Sequence, residues 1–166
     1  MKWQTDLDEV WLVVSPQNPL KKKQTLLNEY DRLHLVELSI ENHPYLRASN
    51  IEFSLPQPSY TIDTLIFLEE KFPERTFVPI IGSDNIASLP KWKNYEALMK
   101  HYEFYCYKRN GSSENKSIPD NIKIFDFPQI EISSTYIRNC IKTGMPVDFL
   151  VPERVADYIR DYKLYK

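Results

Sequence analysis

Glycine is scarce in this chain: three among 166 residues, Gly82, Gly111 and Gly144. No two are close together, so a glycine-rich phosphate loop of the dinucleotide-binding or P-loop type is excluded. Cysteine is equally sparse. Cys106 and Cys140 lack any metal-type spacing and read as free thiols in a reducing cytosol. No apolar run approaches the ~20 residues of a membrane span, and the first residues, Met-Lys-Trp-Gln-Thr-Asp-Leu-Asp-Glu, are too acidic and polar for a secretory signal. Neither sign of charge dominates. The net charge is −2, so no basic field points to nucleic acid.

What is present suits an ordinary globular protein, with 42% hydrophobic and 27% charged residues. The length fits one domain, and no internal repeat is visible. Val10-Trp11-Leu12-Val13-Val14 is a short β-branched run that reads as a buried parallel strand. Helix spacing over residues 25–40 follows, then two short β-like pieces over 45–48 and 51–55. Residues 61–72 predict a helix in which Ser59 or Thr61 acts as cap. A second buried strand is expected over 77–81, then a short helix, a tryptophan-containing link and a helix over 95–101. Further strands are expected over 103–107 and 122–125, separated by a surface loop at 110–117. Residues 134–142 predict a helix stopped by Gly144 and Pro146. Pro152 opens a last helix running to about residue 162. Alternating strands and helices predict an α/β domain with a parallel sheet.

Four segments carry chemistry. Ile132-Ser133-Ser134-Thr135-Tyr136-Ile137-Arg138 places hydroxyls at a helix start, where free N–H groups and the helix dipole favour phosphate. Helical side chains lean back toward the N-terminus, so Arg138 can reach the same anion. Asn18-Pro19-Leu20-Lys21-Lys22-Lys23 follows a strand's carboxyl end, where open α/β sheets bind ligands, and lysines there could hold a polyphosphate as point charges. Pro58-Ser59-Tyr60-Thr61 starts a helix whose N–H groups could receive a ligand carboxylate. Ile80-Ile81-Gly82-Ser83-Asp84, followed by Leu89-Pro90-Lys91-Trp92, combines a close backbone approach, a carboxylate for ribose hydroxyls and a flat aromatic face. Each segment also has a plainer reading: a solvated charge run, ordinary caps, a turn, a core tryptophan.

Taken in order, these segments resemble the bacterial nicotinate mononucleotide adenylyltransferases of the nucleotidylyltransferase superfamily. The most specific pieces are Ser59-Tyr60-Thr61 with Thr64-Leu65, Ile81-Gly82-Ser83-Asp84 through Trp92, and Ile132-Ser133-Ser134-Thr135 with Ile137-Arg138. The resemblance implies a Rossmann-like parallel sheet with flanking helices in a single domain, residues 1–166. It implies a cytoplasmic enzyme of NAD biosynthesis that uses ATP with Mg²⁺ and nicotinate mononucleotide, with no membrane or nucleic-acid partner and with room for a homo-oligomer. The phosphate of nicotinate mononucleotide would attack the α-phosphorus of ATP, and deamido-NAD and pyrophosphate would leave. By resemblance, Tyr60 and Thr61 serve the nicotinate carboxylate and Trp92 stacks on the pyridine. Gly82 and Asp84 lie by nucleotide ribose. Lys22, Ser134, Thr135 and Arg138 hold ATP phosphates; the neighbour that is often histidine in the family is Lys21 here. A helix start gains more from a carboxylate than from a carboxamide, so a preference for the nicotinate form is expected.

The family opens with a strand and a Gly-rich turn bearing His-x-Gly-His. His34, His43 and His101 do not match that pattern, so no residue is given a catalytic role and none is given to a metal. The expectation is a truncated domain lacking the family's first strand, through an internal start in a longer gene or decay of a copy, and correspondingly unstable and slow in turnover. An in-frame His-x-Gly-His segment in the DNA upstream of Met1 would support the internal start; stop codons would oppose it. Two other readings compete: a non-catalytic nucleotide-binding remnant, and a related adenylyltransferase with another phosphate acceptor.

Overall fold

A computed structural model describes residues 1–17, 27–109 and 118–166. The expected lysine segment at 18–23, including Lys22, and the expected loop at 110–117 lie outside the described residues. The chain forms two compact units, Met1–Pro58 with Glu131–Lys166, and Ser59–Ile130.

In the first unit, β1 (Val10–Val13) pairs in parallel with β2 (Leu46–Ser49), Val10 opposite Leu46 and Val13 opposite Ser49. A parallel pair needs a crossover, and α1 (Glu29–Ile40) lies in that connection and packs on β2. The helix begins later than its spacing suggested. Asn28 is the cap, its side-chain oxygen accepting from Tyr30 N–H at 2.8 Å, and Glu29 and Asp31 occupy the favourable first turn. The expectation of a buried β1 needs correction. Its residues are half-buried and Leu12 is exposed, because β2 is its only strand neighbour among the described residues. The β-like piece at 51–55 is instead a 3-10 turn, Ile51–Ser54, entered through Asn50 at φ −100°, ψ 20° and closed by Phe53 N–H to Asn50 O.

Two further helices complete this unit, α5 (Ser134–Lys142) and α6 (Glu153–Asp161). α5 ends in a Schellman arrangement. Gly144 adopts φ +72°, its N–H donates to Ile141 O, and Met145 N–H donates to Cys140 O. α6 starts after Pro152, buries Val155 and Ile159, and packs on α1.

The second unit holds a parallel sheet in the order β3-β4-β5: Ile80–Gly82, Phe104–Tyr107 and Ile122–Phe125. β3 is shorter than expected. Pro79 cannot donate to the ladder, although its carbonyl accepts from Tyr105 N–H at 2.9 Å. The central strand β4 is the most buried, and Phe104, Tyr105 and Cys106 are closed off from solvent. α2 (Thr61–Lys71), the short α3 (Ser83–Ile86) and α4 (Tyr95–His101) complete the unit. Ile62 and Leu65 of α2, Leu98 of α4, Leu89, Ile81, Phe104 and Ile122 form one core. Each fully buried leucine there contributes about 1.5–3 kcal/mol. The α/β architecture with parallel strands and helical connections is thus present, with its described strands in two sheets. No described helix is long and apolar enough to cross a membrane.

Candidate active site

The candidate residues fall into groups at the ends of these elements. Arg138 and the hydroxyls lie on the first unit's α5. Ser133 caps that helix, its Oγ accepting from Tyr136 N–H at 3.1 Å. Ser134 and Thr135 occupy the first two helical positions and are exposed. Arg138 reaches back one turn and donates from Nη2 to Thr135 Oγ1 at 3.1 Å. The hydroxyl and the guanidinium are therefore held side by side at the positive end of the helix.

Two arginines act beside Tyr165 in this unit. Burial pushes the Tyr165 phenol up, while the charges of Arg138 and Arg32 pull it back. Arg32 was not anticipated from sequence. Its guanidinium donates to Ser15 O at 2.7 Å, Pro16 O at 3.1 Å and Leu27 O at 3.1 Å, fixing the chain after β1 and the chain before α1 to one side chain. Only an arginine following a gap in a strand–helix connection hinted at this in the sequence.

The second unit carries the other two groups. Tyr60, with extended backbone (φ −121°, ψ 150°), is the N-cap of α2, so neither Ser59 nor Thr61 holds the cap position expected from sequence. Tyr60 makes no side-chain cap bond, and Thr61 is the first helical residue. The Thr64 hydroxyl donates back to Tyr60 O at 3.2 Å. Trp92 closes the 3-10 turn Leu89–Lys91. Its ring packs against the core while remaining partly accessible, and its indole N–H is buried without a hydrogen-bond partner among the described residues.

Gly82 ends β3 and caps α3, placing Asp84 in that helix's first turn. Gly82 lies opposite Tyr107, the last residue of β4, so this group sits at the carboxyl edge of the sheet. A Cβ on Gly82 would collide with Asp84 Oδ1 and lie 3.2 Å from the Tyr107 ring. Asp84 is half-exposed and pairs with Arg109 Nη1 at 3.1 Å, while Arg109 N–H donates to Ser83 Oγ at 2.8 Å. Arg109, beyond the end of β4, is a second residue that sequence reasoning missed. Cys106 is buried on β4, and burial, with the Asp84 charge, pushes its thiol up from the ordinary thiol range.

His34 is on α1, 3.5 Å from Glu37 and edge-on to Tyr158, whereas His43 and His101 are exposed. Among the described residues, no three His, Cys, Asp or Glu side chains gather as a metal site.

Comparison with known proteins decides the family. The cytidylyltransferase-like family matches over residues 1–140. The "probable nicotinate-nucleotide adenylyltransferase" of Cytophaga hutchinsonii is 49% identical over 163 residues, covering 97% of this chain and 84% of that protein. The chain belongs to the nicotinate-nucleotide adenylyltransferases. It is thus an enzyme of the nucleotidyltransferase class. Proteins of the same name are 49% identical in Flavobacterium psychrophilum, over 98% of this chain and 86% of that one, and 34% identical in Bacillus pumilus, over 100% and 87%. The fold of this adenylyltransferase family member is also that of a solved relative. Plasmodium falciparum nicotinic acid mononucleotide adenylyltransferase complexed with NaAD superposes with a TM-score of 0.77 at 22% identity, over 95% of this chain and 82% of that one.

Proposed function

We propose that this protein transfers the adenylyl group of ATP to nicotinate mononucleotide, releasing deamido-NAD and pyrophosphate. The observation that carries this reading is the 49% identity to a named nicotinate-nucleotide adenylyltransferase over 97% of the chain. The candidate residues at the ends of α2, α5 and β3 support it. In this reading residues 1–166 are one nucleotidyltransferase domain working in the cytoplasm.

The reaction needs no covalent enzyme intermediate. A phosphate oxygen of nicotinate mononucleotide attacks the α-phosphorus of ATP, the bond to the bridging oxygen breaks, and pyrophosphate leaves with the electron pair. Catalysis of this kind is positioning plus charge neutralisation. The α5 start, Ser134, Thr135 and Arg138 neutralise the departing phosphates, and Lys22 belongs with them. Tyr60 and Thr61 place α2 N–H groups toward the nicotinate carboxylate, and Trp92 offers its accessible face to the pyridine. Gly82 leaves room at the sheet edge, and Asp84 accepts from ribose hydroxyls by yielding part of its pairing with Arg109. Mg²⁺ bound with ATP would supply further charge neutralisation at the phosphates.

Calorimetry with ATP and with nicotinate mononucleotide, run beside a turnover assay, tests the reading. Binding of both with pyrophosphate release supports it. Binding of ATP without turnover would replace it with a nucleotide-binding remnant.

A further inference from the structure

At the start of α2 the Lys93 ammonium touches two side chains, Asp63 and Tyr60. Its Nζ lies 2.8 Å from Asp63 Oδ2 and 3.0 Å from Asp63 Oδ1, and 4.9 Å from the centre of the Tyr60 ring. Asp63 is the third residue of α2, Tyr60 is its N-cap, and Lys93 directly follows Trp92. The contact therefore joins the segment to which the proposed function assigns the nicotinate carboxylate and the segment to which it assigns the pyridine ring. It also brings together residues thirty apart in sequence.

An aspartate in a first helical turn suits the helix dipole. For a ligand carboxylate arriving at the same helix start, however, that aspartate is a like charge, and it would offset the attraction of the N–H groups. An ammonium seated on both carboxylate oxygens cancels most of this field. The Tyr60 ring adds a cation–π contact that holds the ammonium at the site.

We propose that Lys93 determines acid-over-amide specificity by masking Asp63, so that the α2 start accepts the carboxylate of nicotinate mononucleotide in preference to the neutral carboxamide of its nicotinamide counterpart. The inference rests on the proposed function. Lys93 is a positioning residue in it, acting through the charge of Asp63.

A simple staple between two segments would behave differently, because breaking it from either end would have the same consequence. Charge masking predicts opposite consequences. The test measures dissociation constants for both mononucleotides by calorimetry in the full chain, and takes their ratio within each variant, which cancels any unfolded fraction. Lys93→Met lowers the preference for the acid by about fivefold, the size expected of an exposed charge pair. Asp63→Asn leaves that preference equal or stronger. The double variant Asp63→Asn with Lys93→Met returns toward the parent value, and Lys93→Arg retains it. An unchanged ratio in Lys93→Met, or the same direction of change in both single variants, overturns the role of Lys93 while leaving the proposed function intact. A parent protein that binds the acid no more tightly than the amide overturns the proposed function and this inference with it.

Discussion

Asp84 fills the space that a side chain on Gly82 would need: its Oδ1 stands where a Cβ would project, with the Tyr107 ring 3.2 Å from the same point. Its φ of −82° suits any residue, so close approach of this carboxylate, and not backbone conformation, is what a side chain here would disturb. In Gly82→Ala the half-exposed carboxylate must swing aside, and Arg109 pairs with its other oxygen, Oδ2. Because the colliding atom ends a flexible side chain, unfolding free energy is expected to fall by at most about 1 kcal/mol. In an Asp84→Ala background the same substitution should cost clearly less, because the colliding atom is gone. Urea denaturation of the four proteins measures this coupling, and strictly additive losses would contradict it.

The Arg138–Thr135 contact yields a prediction about substrate binding. Removing a guanidinium that pairs with phosphate costs roughly 10–100-fold in affinity. Arg138→Ala should raise KM for ATP by about that factor and leave KM for nicotinate mononucleotide within about threefold. Arg138→Lys should recover only part of the loss, because an ammonium cannot bind two phosphate oxygens as a planar fork does. Steady-state kinetics with each substrate varied in turn decides this. Equal increases in both KM values would contradict it.

Arg32 satisfies three backbone carbonyls in the first unit. Replacement by methionine leaves them without their donor and should destabilise the protein by about 1–3 kcal/mol. Arg32→Lys should restore less than half, since one ammonium cannot span Ser15, Pro16 and Leu27 together. The denaturation midpoint at constant slope reads the effect.

Tyr102 provides a pH test. Burial, followed by its hydrogen bond to Glu69 (3.0 Å) and the charge of that carboxylate, pushes the phenol from 10.0 up to about 12. The folded state therefore favours the protonated phenol. Its contribution is fully present below pH 10 and is lost as pH rises from 10 through about 12, where the unfolded chain ionises first. Tyr102→Phe should flatten the decline of stability across that window. An equally steep decline in the variant, measured by urea midpoints, would contradict this.

The parts legible from sequence are those governed by local chemistry. β5 (Ile122–Phe125), α4 (Tyr95–His101) and α5 (Ser134–Lys142) match their expected bounds because turn residues and a C-terminal glycine punctuate them. The piece at 51–55 misled because Ile51, Phe53 and Leu55 alternate as a strand would, while Asn50 turns the backbone into a 3-10 turn. β3 lost its first residues to Pro79. In the candidate site, the hydroxyls of α5, Gly82 and Asp84 could be marked in advance. Their partners could not. Arg109 meets Asp84 from 25 residues away, and outside the site Arg32 likewise meets Ser15 from 17. Such pairings depend on parallel strand register and helix packing, which side-chain periodicity does not encode.

The account is tested most directly by product analysis after incubation with ATP, Mg²⁺ and nicotinate mononucleotide. It predicts deamido-NAD and pyrophosphate in equal amounts, both dependent on the mononucleotide. Bound ATP with no deamido-NAD formed, or adenylyl transfer to a different phosphate acceptor in its place, would contradict it.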